Sequence, residues 1–387
     1  MLILIVLRRA QKRPRIIAFA IYAVMQVLFA ATSLATPTPP QNPKEIELSK
    51  PLVIHWRYAS EQMVNLTPSS DGDRVYLPLS SGQIISLGAE TGQLIWKSDV
   101  GGEISASPVA DEHGVYVASE RKDSSGQELI TGGALRLLSR DTGVTLWIRT
   151  LSTAPAVALS RNADTIFAGG NDGRVYAIRK STGDVVWSKQ IDSRVTSQLT
   201  LAGSRLYIGS EFGNVYALDQ HTGKLIWYFQ TRSAVQGRFA LANGLIYFGS
   251  ADGYVYAVSE DKGKKSWRTR TGAGVQSVLS VNEGLLASSF DNFVYFLSLR
   301  NGNRLWKRQL PGRLAAEPLA AFDGVLFTPL SAESGIVLSL RNGKQLNSLP
   351  LGEESSSNAA PIFVRDLLLI STRHGLLAFA HPKVEDL

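Results

Sequence analysis

Apolar and polar residues alternate in short runs along most of this chain, and glycine-containing turns separate the runs. Gly173-Arg174-Val175-Tyr176-Ala177-Ile178, Gly213-Asn214-Val215-Tyr216-Ala217-Leu218 and Gly253-Tyr254-Val255-Tyr256-Ala257-Val258 are three such runs. Period-two alternation rich in Val, Ile and Tyr predicts half-buried β-strands. Upstream of each run lies another strand that ends in small residues, at 166–170, 206–210 and 246–250. Downstream comes a turn and a strand that carries a tryptophan. A further inner strand, such as 195–201 or 235–241, follows the tryptophan and makes the unit four-stranded. No stretch between these units has a sustained helical period.

The seven tryptophans fall in one register. Trp56, Trp96, Trp147, Trp187, Trp227, Trp267 and Trp306 are separated by 40, 51, 40, 40, 40 and 39 residues. Six of them have a glycine four residues earlier: Gly92, Gly143, Gly183, Gly223, Gly263 and Gly302. A further copy of the turn, Asn342-Gly343, leads to Asn347 where tryptophan is expected. A glycine at a fixed turn position indicates a backbone with positive φ. One tryptophan in the same place in nearly every unit cannot serve one central ligand, so the tryptophans are expected to pack between units. Tyr176, Tyr216, Tyr256 and Tyr295 recur in the same way.

The middle-strand motif has eight copies, beginning at Gly82, Gly133, Gly173, Gly213, Gly253, Asn292, Gly335 and Gly375. Four antiparallel strands per unit make a propeller blade. The eighth copy has no tryptophan strand after it, whereas the strand around Trp56 has no blade before it. Circular closure resolves both, with residues 51–57 completing the blade begun near Glu353. The expected fold is therefore all-β, an eight-bladed β-propeller closed by an N-terminal strand, which leaves no open edge at the ring's seam. The 51-residue gap places eleven extra residues in blade 2, expected to be a charged surface loop over 119–132.

With seven copies in register, the T-G-x-x-x-W turn and the G-x-V-Y-A-L run before it resemble the pyrroloquinoline-quinone-type (PQQ-like) propeller repeat. The likeness covers residues 51–381. Size and blade count are similar to the BamB family of accessories of the outer-membrane β-barrel assembly machinery. That resemblance implies a non-enzymatic, exported scaffold, monomeric, docked on another envelope protein. The repeat is also similar to quinoprotein dehydrogenases, which implies, as the alternative, oxidation of an alcohol or sugar with pyrroloquinoline quinone and calcium. A ligand- or polysaccharide-binding sensor is a third reading.

The amino terminus changes the picture of location. Arg8, Arg9, Lys12, Arg13 and Arg15 precede an apolar run from Ile16 to Ala31, and Ser33-Leu34-Ala35 fits a small-x-small cleavage pattern. This is the layout of a secretory signal peptide. If retained, residues 16–35 are long enough to anchor the chain in a membrane; a twin-arginine signal at Arg8-Arg9 fits its neighbours poorly. Residues 36–50 are proline-rich and expected as a linker, with the propeller over 51–387. The same segment accounts for the formal charge of +7: after residue 35 the chain has 35 basic and 33 acidic residues. Global charge therefore gives no support to nucleic-acid binding. The chain has no cysteine. That excludes disulfides, thiolate chemistry, Cys-ligated metals and the lipidated cysteine of BamB-type lipoproteins.

Candidate chemistry is sparse. His55, His113, His221, His374 and His381 show no metal-ligand spacing, and Asp172-Gly173 and Asp252-Gly253 read as turns. No catalytic, cofactor-binding or metal residue is assigned. Position eleven after each tryptophan gives a column of Thr67, Ser107, Ala158, Gln198, Arg238, Val278 and Glu317, which should lie near the ring centre. Arg194, Gln198, Gln236, Arg238, Gln276 and Glu317 are the candidate binding rim, since charged groups there need a partner or water. Arg238, Glu317 and the 119–132 loop break the repeat's symmetry on different blades, so the sequence does not bring them into one site.

Overall fold

The computed structural model describes residues 46–122, 128–352 and 357–382. The expectations for residues 1–45 lie outside them. Eight four-stranded antiparallel sheets follow one another along the chain. Blades 1 to 7 occupy residues 69–99, 109–151, 160–190, 200–230, 235–270, 275–309 and 319–350. Blade 8 combines residues 362–380 with the strand Val53–Ala59, which pairs antiparallel with Gly375–Ala380. The ring is thus an eight-bladed propeller closed by its N-terminal strand.

The tryptophan–glycine register is the joint between blades. The indole Nε1 of each of the seven tryptophans donates to a backbone carbonyl of the following blade, at 2.8–3.1 Å. The acceptors, Ala89, Arg140, Lys180, Gln220, Glu260, Leu299 and Leu340, all lie in that blade's outer turn. The turn glycines Gly92, Gly143, Gly183, Gly223, Gly263, Gly302 and Gly343 have φ between 64° and 74°. Each sits on the indole ring of the preceding blade; a Cβ at Gly223 would lie 2.7 Å from Trp187 Cε3. Glycine is required twice there, by backbone conformation and by contact. The recurring tyrosines close the other end of the hairpins. Tyr256 donates to Asp252 at 2.7 Å and Tyr295 to Asp291 at 2.5 Å, inside the Asp-containing turns.

Asn347 now has a reason. Blade 8 is made from both ends of the chain and has no continuous outer turn for a tryptophan to meet. Residues 46–52 fill that place, with Ile46, Leu48 and Leu52 buried against blades 7 and 8. The Asn347 amide donates to the carbonyls of Leu48 and Lys50, at 3.0 and 2.7 Å. Asp323 accepts the N–H groups of Leu48 and Ser49, and His381 Nε2 that of Glu47. Residues 46–50, expected as the end of the linker, are therefore part of the ring.

Two other expectations change. The inner strands are two or three residues long in blades 1–4, 7 and 8, whereas those of blades 5 and 6, Val235–Ala242 and Val275–Val281, are long. Pro68, Pro108, Pro318 and Pro361 explain four of the short ones, since proline cannot donate to the ladder. The extra residues of blade 2 are a prolonged hairpin: Gly114–Lys122 pairs with Glu128–Leu138 as far as Lys122 opposite Glu128. The tip of the 119–132 segment, residues 123–127, lies outside the described residues.

Candidate functional site

The inner strands converge on a central channel, and the column eleven residues after each tryptophan lines it. Thr67, Ser107, Ala158, Gln198, Arg238 and Glu317 border one cavity of about 510 Å³. A second chamber of about 230 Å³ shares Thr67, Ser107, Ala158, Gln198 and Glu317 and adds Gln276. Ala360 of blade 8 borders both.

Val278 departs from the column. The ladder of blade 6 shifts register between Val275 and Ser277, so Gln276 is expelled toward the channel and Val278 turns into the blade core. Blade 5 shows a wider irregularity, between Gln236 and Ala240. At its centre Gly237 has φ 69°, and its carbonyl accepts the Gln198 N–H at 2.9 Å. A side chain there would strike the backbone of Gln276 in the next blade. This bulge turns Arg238 into the cavity.

Arg238 and Glu317, which the sequence left on separate blades, meet across the channel mouth. Arg238 Nε lies 3.7 Å from Glu317 Oε2; the arginine side chain is 56% exposed and the glutamate 22%. Burial pushes the Glu317 carboxyl above its ordinary range, and the charge of Arg238 opposes that only in part. Glu317 Oε1 is buried without a hydrogen-bond partner. Of the remaining rim candidates, Gln276 donates to the Ala315 carbonyl at 3.3 Å. Arg194 pairs with Glu211 at 3.0 Å and, like Gln236, does not border either chamber.

The chemistry available to this lining is limited. Among the described residues its one carboxylate is Glu317, no histidine borders it, and it holds no aromatic ring on which a planar quinone could stack. A calcium ion takes six to eight oxygen ligands, usually with several carboxylates among them. The residues present therefore do not fit a quinone–calcium pair. Among the described residues, the grouping able to share an ion is Asp111, Glu112 and His113. Asp111 is already engaged: Lys180 Nζ lies 2.6 Å away, with both side chains almost fully buried. Burial alone would raise the Asp111 carboxyl, but the Lys180 hydrogen bond, the His113 N–H and the charges of Lys180 and Arg161 outweigh it and hold it low.

The perimeter of the ring carries a pattern that the search for catalytic residues missed. Exposed apolar side chains line the outer strands of blades 1 to 4: Leu94 and Ile95, Leu146 and Ile148, Val185 and Val186, Leu225, Ile226 and Tyr228. Blade 5 has Lys265 and Ser266 at the matching place, and blade 6 has Arg304 and Leu305. The signal was present in the apolar residues beside the tryptophans of blades 1 to 4, but sequence alone did not show that they face solvent.

The family model described as outer membrane protein assembly factor BamB matches in four overlapping stretches, residues 54–198, 131–236, 171–280 and 211–382. No curated protein matches the sequence. Among solved structures, BamB from Moraxella catarrhalis is similar with a TM-score of 0.71 and 15% identity, covering 86% of this chain and 99% of that one. The computationally designed Ika8 protein is similar with a TM-score of 0.71 and 16% identity, over 85% and 99%. Quinohemoprotein alcohol dehydrogenase from Comamonas testosteroni is similar with a TM-score of 0.65 and 12% identity, over 86% and 77%. At these identities the likeness to the solved structures is one of fold.

Proposed function

The chain belongs to the family described as outer membrane protein assembly factor BamB, and from that membership we propose that it is a non-enzymatic scaffold of the cell envelope. It is exported, either released after Ala35 or anchored through residues 16–35, and docks as a monomer on another envelope protein. Its partner belongs to outer-membrane protein assembly.

The observation that carries this reading is the apolar perimeter of blades 1 to 4. Isolated apolar side chains are ordinary on a protein surface, but a band repeated over four neighbouring blades is the composition of a docking face. The channel supports the same reading from the other side. Among the described residues it offers one carboxylate, Glu317, and the guanidinium groups of Arg161 and Arg238, without the convergent acid, base and metal ligands that oxidation of an alcohol needs.

The test is photocrosslinking in cells, with the photoreactive residue at Leu146 or Ile226 and at Arg304 for comparison. The expected result is adducts with a discrete envelope protein from the first two positions, lost in a Leu146→Glu, Ile226→Glu variant that still folds. Adducts that are absent, or that contain only the chain itself, refute the scaffold.

A further inference from the structure

The apolar band stops at blade 5, and what replaces it is a concentration of positive charge. Residues 260–308 hold nine basic and four acidic residues, while the rest of the chain after residue 35 holds 26 basic and 29 acidic. The nine are Lys262, Lys264, Lys265, Arg268 and Arg270 on blade 5, and Arg300, Arg304, Lys307 and Arg308 on blade 6. All nine are exposed, and all lie in the outer turns and outer strands Lys265–Arg270 and Arg304–Gln309. Among the described residues, the one ion pair any of them makes is Lys262 with Asp261, at 3.7 Å. Two instead rest on aromatic faces: Arg268 Cζ is 4.5 Å from the Tyr254 ring centre, and Lys307 Nζ is 3.6 Å from that of Phe293. The outer strands that carry exposed apolar side chains on blades 1 to 4 have become predominantly cationic on the next two blades.

At the edge of this surface lies a groove of about 500 Å³ between blades 4 and 5. Arg232, Lys265 and Arg268 line it beside the rings of Phe229 and Tyr256. Cations over an apolar floor match a phosphate headgroup with its glycerol and upper acyl carbons. We infer that the outer edges of blades 5 and 6 dock on an anionic phospholipid bilayer.

The point of entry of the chain agrees with that occupant. Leu48 and Ser49 are bound to Asp323 of blade 7, next to blade 6 in the ring. Ten residues, 36–45, separate Ala35 from Ile46, a span of at most about 35 Å when fully extended. A chain anchored through residues 16–35 would add that tether to the association made by the basic edge. A chain cleaved after Ala35 would depend on the basic edge alone for a weaker, salt-sensitive association.

The test uses the full chain with vesicles of phosphatidylcholine alone and of an equimolar mixture with phosphatidylglycerol. Acetylation of individual lysines is followed by mass spectrometry. On the anionic vesicles Lys262, Lys264, Lys265 and Lys307 should react about threefold more slowly or less. Lys97 and Lys189, on the outer strands of blades 1 and 3, should react equally on both. The protection should vanish in molar salt, where the Debye length is about 3 Å. It should also vanish at Lys262 and Lys307 in a Lys264→Gln, Lys265→Gln, Arg304→Gln, Arg308→Gln variant. If that variant fails to fold, the salt arm on the unaltered chain decides. Equal labelling on both vesicle types overturns the inference, as does protection that persists in molar salt. Protection by polyglutamate but not by anionic vesicles also overturns it, in favour of an acidic protein. Because the crosslinking positions Leu146 and Ile226 lie on other blades, failure here leaves the scaffold reading untouched.

Discussion

Replacing Lys180 with methionine should destabilise the ring in a pH-dependent way. Lys180 joins blade 3 to Asp111 of blade 2 at 2.6 Å, with side-chain exposures of 4% and 1%. Its ammonium also donates to the Ala163 carbonyl at 2.7 Å. Methionine keeps most of the volume but leaves a buried carboxylate with the half-exposed Arg161, 3.8 Å away, and the imidazole of His113, 3.5 Å away, as its remaining partners. Breaking one side of a buried ion pair costs about 3–5 kcal/mol. At about 2.1 cal/mol/K per residue over roughly 340 residues, the unfolding entropy is near 0.7 kcal/mol/K, so Tm should fall by about 4–7 °C. The pH dependence has a definite sign. In the parent chain the Asp111 carboxyl is held low, so its contribution is present above the unfolded value and is lost only as pH falls through the lower folded value. In the variant, burial without the ammonium should raise that carboxyl. The deficit should therefore be largest at neutral pH and shrink on acidification toward about pH 4. Thermal unfolding followed by circular dichroism between those values measures both effects. Adding Asp111→Asn to the variant should recover part of the loss at neutral pH. A variant within about 1 kcal/mol of the parent, with the same pH profile, would show that the pair does not hold blades 2 and 3 together.

Three further outcomes test the architecture and the channel. Gly223→Ala should cost distinctly more than the roughly 1 kcal/mol of Gly203→Ala, because both have positive φ but only Gly223 faces an indole; equal chemical-denaturation midpoints would remove the indole contact from the explanation. Deleting residues through Trp56 should destabilise the whole ring and not fray one end, since it bares the strand Gly375–Ala380; unchanged melting and protease resistance would refute closure. Pyrroloquinoline quinone with calcium should give no thermal stabilisation and no dye reduction over a panel of alcohols and sugars; saturable turnover abolished by Glu317→Gln would place an enzyme in the channel.

The blades were legible because their signal is local. A glycine, an alternating run and a tryptophan recur within forty residues, and each element reads from its own neighbours. What escaped the sequence depends on neighbours brought together by the ring. Arg238 and Glu317 are 79 positions apart in the numbering yet meet over the channel, because closure brings blades 5 and 7 to a common centre. Asp111 and Lys180 pair across a blade boundary for the same reason. Gln276 and Val278 exchanged roles because a bulge shifts register, and no local residue type announces it. The buried column Tyr76, Tyr116, Phe167, Tyr207 and Tyr247, each ring about 6 Å from its own blade's tryptophan, was readable in the forty-residue period. The tyrosines one strand later drew attention away from it. The basic edge was hidden by averaging, since a near-neutral total conceals opposite local balances.

The strand Val53–Ala59 is among the first parts of the ring to leave the ribosome, and its partner Gly375–Ala380 is among the last. Blades 1 to 7 are each cut from one continuous stretch and can assemble as the chain reaches the compartment where it folds, but blade 8 must wait for the last residues to arrive. During that interval a strand edge stands unpaired, the condition under which β-rich chains associate with one another. Trp56 supplies a holding position. It sits in this waiting strand, yet its indole donates to Ala89 and covers Gly92, both in blade 1, so the strand can be stored against the first blade before the last one exists.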